Sequence, residues 1–361
     1  MTGEPLTERL VAVALDACEP ATARAAGGRA LFDHLACRAA GRRVAPAGVG
    51  DAAAAALLDR DDLHWPSLTH PGAIVWTAVL AAGAEGDARW RAAAAGYEVT
   101  ARLGRALGAD HRRHFHATAT AGTVGGAVAA AVALDADPVV AAGHAISVAG
   151  GSIVAILERS GTRALHRDHA ADAALRCARA TALPATRFGL EHPQGLFAAM
   201  GGSPDGLLDP APPALAEVSF RRHATNGFCQ ALVEAAAELA GPPPEGPVEV
   251  EAPAAVLALA SDPAPRDAES AWWSAQHAVA ATLLGRDLGE PALHADPHVA
   301  ALTARVRLRG GPVARVTVDG RSAQRDAAAP LTDEDLVAKW RALNPGDPPP
   351  LELLQTEGAR T

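Results

Sequence analysis

The chain has 361 residues and a mass of 36.7 kDa, enough for one large domain or two of ordinary size. About half of it is hydrophobic (49%), largely through alanine, and aromatic residues make up only 4%, which favours closely packed helices because alanine is small and has the highest helix propensity. The formal net charge is −9, with no dense basic block or series of stacking aromatics, which argues against a nucleic-acid partner.

The cysteines and the N-terminus indicate a reducing compartment. The four cysteines lie far apart, without a C-x-x-C pair or metal-type spacing, and are Cys18, Cys37, Cys177 and Cys229. The first residues carry Glu4, Glu8 and Arg9 and lack a basic segment leading into an apolar run. The sequence therefore predicts reduced thiols in a cytoplasmic protein without a secretory signal.

From residue 6 to about 202 the hydrophobic pattern predicts helices almost throughout. In the segment 30–40, Leu31, Leu35 and Ala39 fall near one helical face, and 90–107 and 164–181 repeat this period. The apolar stretch 117–157 is interrupted by acidic residues, a proline and a histidine. These interruptions favour two buried helices joined by a turn over a membrane span. We expect an all-helical domain over residues 1–205.

The character of the chain changes near residue 203, where four prolines within ten residues mark a domain edge. A helix is predicted over 228–239 and a short strand over 248–250. The clearest strand signal, 304–318, predicts a hairpin whose tight connection is Gly310-Gly311. These elements predict a smaller α+β domain over 206–328.

The segment 329–361 begins with a helical pattern, LTDEDLVAKWRAL, in which Thr332 is the expected N-cap and acids occupy the first turn. This helix is expected to return to the first domain, and the tail from Asn344 is expected to be loosely ordered. The predicted fold class is mainly α, with a large all-helical domain and a smaller α+β domain.

The first chemical cluster is LDRDDLHWPSLTHPGA, residues 58–73, which places three aspartates and two histidines in a proline-rich loop between helices. They are Asp59, Asp61, Asp62, His64 and His70. A carboxylate beside an imidazole orients the ring and raises its basicity, as a general base requires. The alternative is that Asp61 and Asp62 cap the next helix and the histidines are simply exposed.

The second cluster, HRRHFHATATAGTVGG over 111–126, contains His111, His114 and His116. Histidines this dense can bind a metal, but no acid or cysteine stands at matching spacing. The alternative is one functional histidine, His116, at the entrance to a buried helix, with Arg112 and Arg113 as solvated charges.

Two further clusters carry arginines. SGTRALHRDHAA contains Arg163 and His166, and SFRRHATNGFCQA contains Arg221 and Gln230. Guanidinium groups suit carboxylate recognition because their parallel donors match two oxygens. Arginines near helix ends are common, so this signal depends on its context.

Taken in order, these clusters resemble the 2-methylcitrate dehydratase (MmgE/PrpD) family, which also includes cis-aconitate decarboxylases and iminodisuccinate epimerases. The resemblance runs from about residue 6 to 343. Its most specific stretches are LDRDDLHWPSLTHPGA, AAAAGYEVTARLGRALG and HFHATATAGTVGGAVAAAVALD. WWSAQHAVAATLLG and the closing LTDEDLVAKWRAL add weaker support.

The resemblance implies a helical domain, an α+β lid over a cleft that holds the active site, a homodimer, and catalysis without a metal or organic cofactor. Asp59, His70 and His116 match residues that line the family's site, and His116 matches its essential histidine. The implied ligand is a small carboxylate or carbonyl compound, with neither nucleic acid nor membrane as partner.

The chain departs from the family pattern at several of these positions. Arg163 and Arg221 stand where the family has lysines, Gln230 where it has a histidine, and His277 where it has a tyrosine. The segment before Asp59 is also shorter. Arginine keeps the positive charge but does not release its proton, so acid–base roles of those lysines are lost while anion binding can persist. We therefore expect a substrate that differs from methylcitrate, in a specialised biosynthetic pathway.

The function predicted is a lyase that dehydrates a β-hydroxy carboxylate or carbonyl compound through an enolate-like intermediate. His116 is the expected base or acid, completed by Asp59 and His70, with His277 as a second acid. Arg163 and Arg221 are the expected anion clamps, and further substrate contacts are assigned to His64, His166 and Gln230. Two alternatives stay open: epimerisation, decarboxylation or cyclisation through the same carbanion, and a catalytically silent relative that binds an acidic metabolite or a partner protein.

Overall fold

The computed structural model describes residues 3–355, which form a mainly helical protein with one small sheet. The first part of the chain contains the helices α1 (Leu6–Asp16), α2 (Pro20–Val44), α3 (Asp51–Ala56), α4 (Pro71–Ala81), α5 (Gly86–Arg112), α6 (Ala117–Ala133), α7 (Pro138–Val148), α8 (Val154–Leu157), α9 (Thr162–Arg179) and α10 (Leu196–Met200). The predicted mainly helical class is therefore confirmed.

Helix α6 lies at the centre of this part and packs against α4, α5, α7 and α9. Its residues from Ala117 to Ala131 are all buried, which the alanine- and glycine-rich sequence permits because small side chains let helix backbones approach closely. The Asp137 side chain caps α7 by accepting from the amides of Val139 and Val140. The segment 117–157 thus forms helices joined by a turn, as predicted. Among residues 3–355, no helix has the length and apolar character needed to span a membrane.

Beyond Met200 the elements are shorter. They are α11 (Ala214–Glu217), a 3₁₀ turn (Gly227–Cys229), α12 (Gln230–Ala237), β1 (Val248–Ala252), α13 (Ala254–Leu259), α14 (Ala268–Trp272), α15 (Ala275–Leu283), a 3₁₀ turn (Pro291–Ala295), α16 (Pro297–Thr303), β2 (Val306–Gly310), β3 (Ala314–Val318), β4 (Arg321–Arg325), α17 (Asp333–Leu343) and a 3₁₀ turn (Leu351–Leu353). The buried sheet face, including Val250 and Val316, packs against α12 and α15.

The predicted hairpin over 304–318 is wrong in its pairing. The strand order is β2-β1-β3-β4, so β1 lies between β2 and β3, parallel to the first and antiparallel to the second. The connection crosses the end of β1, where the Gly311 amide donates to the Ala252 carbonyl (2.9 Å). Glycine is required there because a Cβ at Gly311 would overlap the side chain of Glu251. The hairpin of this sheet is β3-β4, whose turn residues Asp319 and Gly320 both have positive φ, as a primed turn demands.

The C-terminal segment is better ordered than expected. Helix α17 starts with the predicted Thr332 cap, which forms a capping box with Asp335. Its apolar side packs against Phe32 and Ala36 of α2. The tail from Asn344 is not loose up to residue 355, because the buried Asn344 amide donates to the Ala36 carbonyl (3.1 Å) and Leu353 packs on the same surface.

The division into 1–205, 206–328 and 329–361 stays a prediction, and its ends at residues 1–2 and 356–361 lie outside the described residues.

Candidate active site

A cavity of about 440 Å³ opens between the central helices and the segment that precedes α12. Its wall contains five of the side chains singled out in the sequence, namely Asp59, His70, His116, Arg163 and Arg221. The structure thus brings together residues that are up to 162 positions apart. Much of the remaining wall is apolar and includes Leu68, Phe115, Ile153, Ile156, Leu259 and Trp273.

Buried opposite charges form the polar side of this cavity. We call Asp59, Asp61, Arg163, Arg167 and Arg221 the arginine–aspartate cluster; each is at most 3% exposed. Arg221 forms ion pairs with both aspartates, and its Nε donates to the Asp61 carbonyl (2.8 Å). Arg167 Nη2 lies 3.4 Å from Asp61 Oδ2, and Arg163 Nη1 lies 3.7 Å from Asp59 Oδ1. Charge pairing is what makes burial of these groups tolerable.

The pKa values of the two aspartates reflect this pairing. Burial alone would raise them, but Arg221, with Arg163 beside Asp59 and Arg167 beside Asp61, holds the pKa of both carboxyl groups below the ordinary value. Both are therefore carboxylates at neutral pH. Because every nitrogen of Arg221 already donates to a protein oxygen, little of this guanidinium is left for the substrate anion it was expected to clamp.

His70 presents a defined tautomer. Its Nδ1 lies 2.5 Å from the carbonyl oxygen of Asp62, which can only accept, so Nδ1 carries the proton and Nε2 is unprotonated in the neutral ring. The same Nδ1 lies 3.5 Å from Asp61 Oδ2. Burial, together with Arg221 and Arg167 and against the effect of Asp61, lowers the pKa of His70 to about 4. The imidazole is therefore neutral at pH 7.

His116 is the N-cap residue of α6, and its Nδ1 lies 3.2 Å from Nδ1 of His166 on α9. One ring must donate and the other accept, so the two histidines share one proton. Burial and then the charges of Arg167, His166 and His70 lower the pKa of His116 well below the usual value. Gly151 permits this contact. Its carbonyl oxygen accepts from the His116 amide (2.9 Å), its φ is 136°, and a Cβ there would lie 3.3 Å from His166 Nδ1.

Asp62 fulfils the capping role that was considered for both Asp61 and Asp62. Its carboxylate accepts from the Gly72 amide at the start of α4 (3.0 and 3.1 Å) and from the Tyr97 hydroxyl (2.8 Å). Burial and the neighbouring Asp61 charge raise its pKa to about 7. In the same segment, Asp59 and Leu68 adopt positive φ (55° and 53°). Such conformations cost about 1–3 kcal/mol and are common at functional sites.

Four expected site residues lie outside the cavity wall. His64 is fully buried, and its ring nitrogens face Ser67 Oγ (2.8 Å) and Glu217 Oε2 (3.5 Å). Gln230 holds the preceding loop by bonding both the amide and the carbonyl of His223 (3.0 and 2.9 Å). His277 is buried in α15, where burial and then His294 lower its pKa to about 4. His166 is not part of the wall, but its ring contacts His116, which is.

Three residues of this wall or its cluster were not selected from the sequence. Asp61, rather than Asp59, is the carboxylate beside His70, and Arg167 completes the charge cluster. Arg112, expected to be solvated, is half-buried on the cavity wall, just beyond the kink of α5 at Gly108. Two features of the sequence could have indicated these residues. The loop places acidic residues close together, at positions 59, 61 and 62, and Arg167 follows Arg163 by four positions, which puts both on one face of a helix.

The three clustered histidines lie in different surroundings. His111 is buried, with Nδ1 donating to the Met200 carbonyl (2.9 Å) and Nε2 near Thr120 Oγ1 (3.1 Å), whereas His114 is exposed and His116 faces the cavity. Within residues 3–355, no group of three or more histidine, cysteine or acidic side chains is arranged to hold a metal ion. The four cysteines are free thiols.

A mainly helical protein whose cavity combines neutral imidazoles with buried guanidinium groups has the equipment of an acid–base enzyme. Residues 43–214 match the family model of the MmgE/PrpD N-terminal domain, a segment that contains Asp59, His70, His116 and Arg163. This match supports membership of the MmgE/PrpD family, which includes dehydratases, in agreement with the resemblance seen in the sequence. No curated protein is significantly similar to the chain.

Proposed function

We propose that this protein is a lyase that dehydrates a β-hydroxy carbonyl compound by removing the proton next to the carbonyl group. The observation that carries the proposal is the common cavity of His70 and His116, both neutral at pH 7 and both beside guanidinium groups. A base that is unprotonated at working pH, next to fixed positive charge, is what enolate formation requires.

His70 is the proposed base. Its Nδ1 proton is held by the Asp62 carbonyl, so the lone pair of Nε2 is the one available to a ligand. When Nε2 takes the α-proton, the resulting imidazolium is stabilised by Asp61, whose Oδ2 lies 3.5 Å from Nδ1. This assigns to Asp61 the part that the sequence suggested for Asp59.

Arg163 is the proposed partner of the enolate oxygen. Its Nε donates to Glu269 Oε1 (2.5 Å) and its Nη1 is 3.7 Å from Asp59, while Nη2 has no hydrogen bond within residues 3–355. The guanidinium also stacks over Trp273, with 5.6 Å from its central carbon to the ring centroid. A rigidly held donor of this kind stabilises developing negative charge without reorganising.

Elimination of water accounts for the proton that His70 removes. The enolate electron pair forms the double bond between the α- and β-carbons as the bond from the β-carbon to the hydroxyl oxygen breaks. The departing hydroxide takes one proton, which the His70 imidazolium returns directly or through His116. The shared proton between His116 and His166 lets this pair act as either donor or acceptor.

Incubation of the protein in heavy water with a panel of β-hydroxy acids and ketones tests the proposal. Deuterium at the α-carbon together with loss of water, measured by mass spectrometry, is the expected result. Deuterium uptake without dehydration supports the epimerase, decarboxylase or cyclase alternative. Ligand-induced thermal stabilisation without uptake, across the whole panel, contradicts enzymatic function and supports a silent relative. The homodimer stays a prediction, to be measured by analytical ultracentrifugation.

A further inference from the structure

The charges inside the cavity indicate the chemical class of the substrate, an inference that rests on the proposed function. Arg163, Arg167 and Arg221 face three carboxylates, namely Asp59, Asp61 and Glu269, in direct ion pairs. The interior therefore holds no surplus positive charge. Asp62, behind His70, adds negative charge whenever it ionises.

This balance matters because of the charge that proton removal creates. A substrate whose reacting group is a carboxylate becomes a dianion when its α-proton leaves, and a buried site needs additional cations to hold it. A ketone or ester becomes a monoanion, which one guanidinium with free donors stabilises. Arg163 offers such donors, because its Nη2 makes no hydrogen bond to residues 3–355 and its Nη1 has only the ion pair with Asp59 at 3.7 Å. The Nε of Arg167 also lacks a partner there, but it is fully buried and out of reach of a ligand.

Arg112 supplies positive charge at a different place. It is half-buried at the end of α5 and lines the same cavity, and its guanidinium group makes no hydrogen bond or ion pair with any residue in the range 3–355. Its neighbour Arg113 also lines the cavity but is exposed, and its guanidinium is already paired with Asp110 (3.2 Å). A half-buried guanidinium without a partner is suited to one anionic group of a ligand.

The wall to which Arg112 and the histidines belong contains apolar side chains, Phe115, Ile153 and Ile156 among them. We propose that the substrate is a carbonyl compound whose reacting carbonyl is uncharged, a ketone or an ester, joined through an apolar body to a single anionic group that Arg112 binds. This class excludes di- and tricarboxylates whose reacting group is itself a carboxylate.

Three seven-carbon probes separate the features of this proposal. 6-Oxoheptanoate has a ketone and a remote carboxylate, 2-heptanone has the ketone alone, and pimelate has a carboxylate in place of the ketone. We expect α-deuterium exchange in heavy water to be fastest with 6-oxoheptanoate, and isothermal calorimetry to give it the lowest Kd. Faster exchange or tighter binding of pimelate overturns the proposal, as does the absence of binding by all three probes.

The variant Arg112→Met tests the anion site. The ratio of kcat/KM for 6-oxoheptanoate to that for 2-heptanone should fall about tenfold or more, mainly through KM, since a charged hydrogen bond is lost. The matched control, Arg176→Met, removes an exposed arginine of α9 that does not line the cavity and should keep the wild-type ratio. An unchanged ratio in Arg112→Met overturns the assignment of Arg112.

Failure of this inference is distinguishable from failure of the proposed function. If pimelate exchanges best and His116→Ala abolishes that exchange, the proposed α-proton abstraction stands and the substrate class is wrong. If 6-oxoheptanoate binds tightest through Arg112 and no probe exchanges, the ligand class stands and the proposed chemistry is wrong.

Discussion

Asp61 Oδ2 lies 3.5 Å from Nδ1 of His70, which joins a buried carboxylate to an imidazole that is partly exposed in the cavity. The Nδ1 proton of His70 is held by the carbonyl oxygen of Asp62, so the carboxylate acts on the ring through charge. Asp61 raises the pKa of His70, while burial and Arg221 lower it. This relationship makes the protonation of His70 dependent on a residue that does not reach the cavity wall.

The variant Asp61→Asn should therefore reduce kcat by about 10²-fold, because the imidazolium of His70 loses its counter-charge. Since Asp61 raises the pKa of His70, the acidic limb of kcat/KM, expected near pH 4 in the wild type, should move to lower pH. A pH–rate profile measures both effects, with Asp110→Asn on the exposed rim as control. A limb that stays in place or moves to higher pH contradicts the assignment.

Replacement of His116 by alanine should lower turnover by about 10²–10⁴-fold, the usual contribution of a proton-transfer group. The fold should persist, because the backbone of His116 still bonds Gly151 and caps α6. His114→Ala, two residues earlier and exposed, is the matched control and should retain wild-type turnover. Equal rates for the two variants, with unchanged circular dichroism, would remove His116 from the mechanism.

The stability of the fold should decrease as the pH falls from about 6.5 towards 4. His34, His70 and His223 have pKa values lowered by burial, to about 3, 4 and 4. Between those values and 6.5 the unfolded chain binds more protons than the folded one, so the free energy of unfolding rises with pH. His277, with a pKa of about 4, adds to this effect. Asp62 and Asp33, whose pKa values are raised by burial, act in the opposite direction but are fewer than these four histidines.

His34→Leu isolates one contribution to this dependence. Neither ring nitrogen of His34 has a hydrogen-bond partner in the described chain, and the side chain is buried in α2. The variant should reduce the slope of unfolding free energy against pH by up to about 1.4 kcal/mol per unit below pH 6.5. Urea denaturation at pH 7, 6 and 5 measures this slope, and an unaltered slope would show that His34 already protonates in the folded state.

Lys339 of α17 should be important for stability. Its Nζ donates to Asp33 Oδ1 (2.5 Å) and to the carbonyl of Arg60 (2.7 Å), the residue between the two aspartates of the cluster. Lys339→Met leaves the buried Asp33 without its counter-charge and should cost about 3–5 kcal/mol in urea denaturation. The double variant Asp33→Leu/Lys339→Met should recover most of this loss. A single variant as stable as the wild type would show that Asp33 is held by other groups.

The sequence by itself determined the features that depend on near neighbours. The buried helices α6 and α7, the Thr332 cap of α17 and the position of His116 at the start of α6 follow from hydrophobic period, turn residues and caps within a few positions. The resemblance to the MmgE/PrpD family was also visible at this level, because the motifs that carry it are short and follow one another in order.

Tertiary structure alone decided the strand order and the charges of the site. The partner of β2 is β1, which lies 58 residues earlier at Val248 and Val306, and a local strand pattern carries no record of such a pairing. In the same way, the distant partners of Arg221, and the absence of one for Arg112 within residues 3–355, follow from packing between remote segments. The sequence does not show whether an arginine is paired with a carboxylate or free to bind a ligand. That depends on which carboxylates the fold brings within a few ångströms of its guanidinium group.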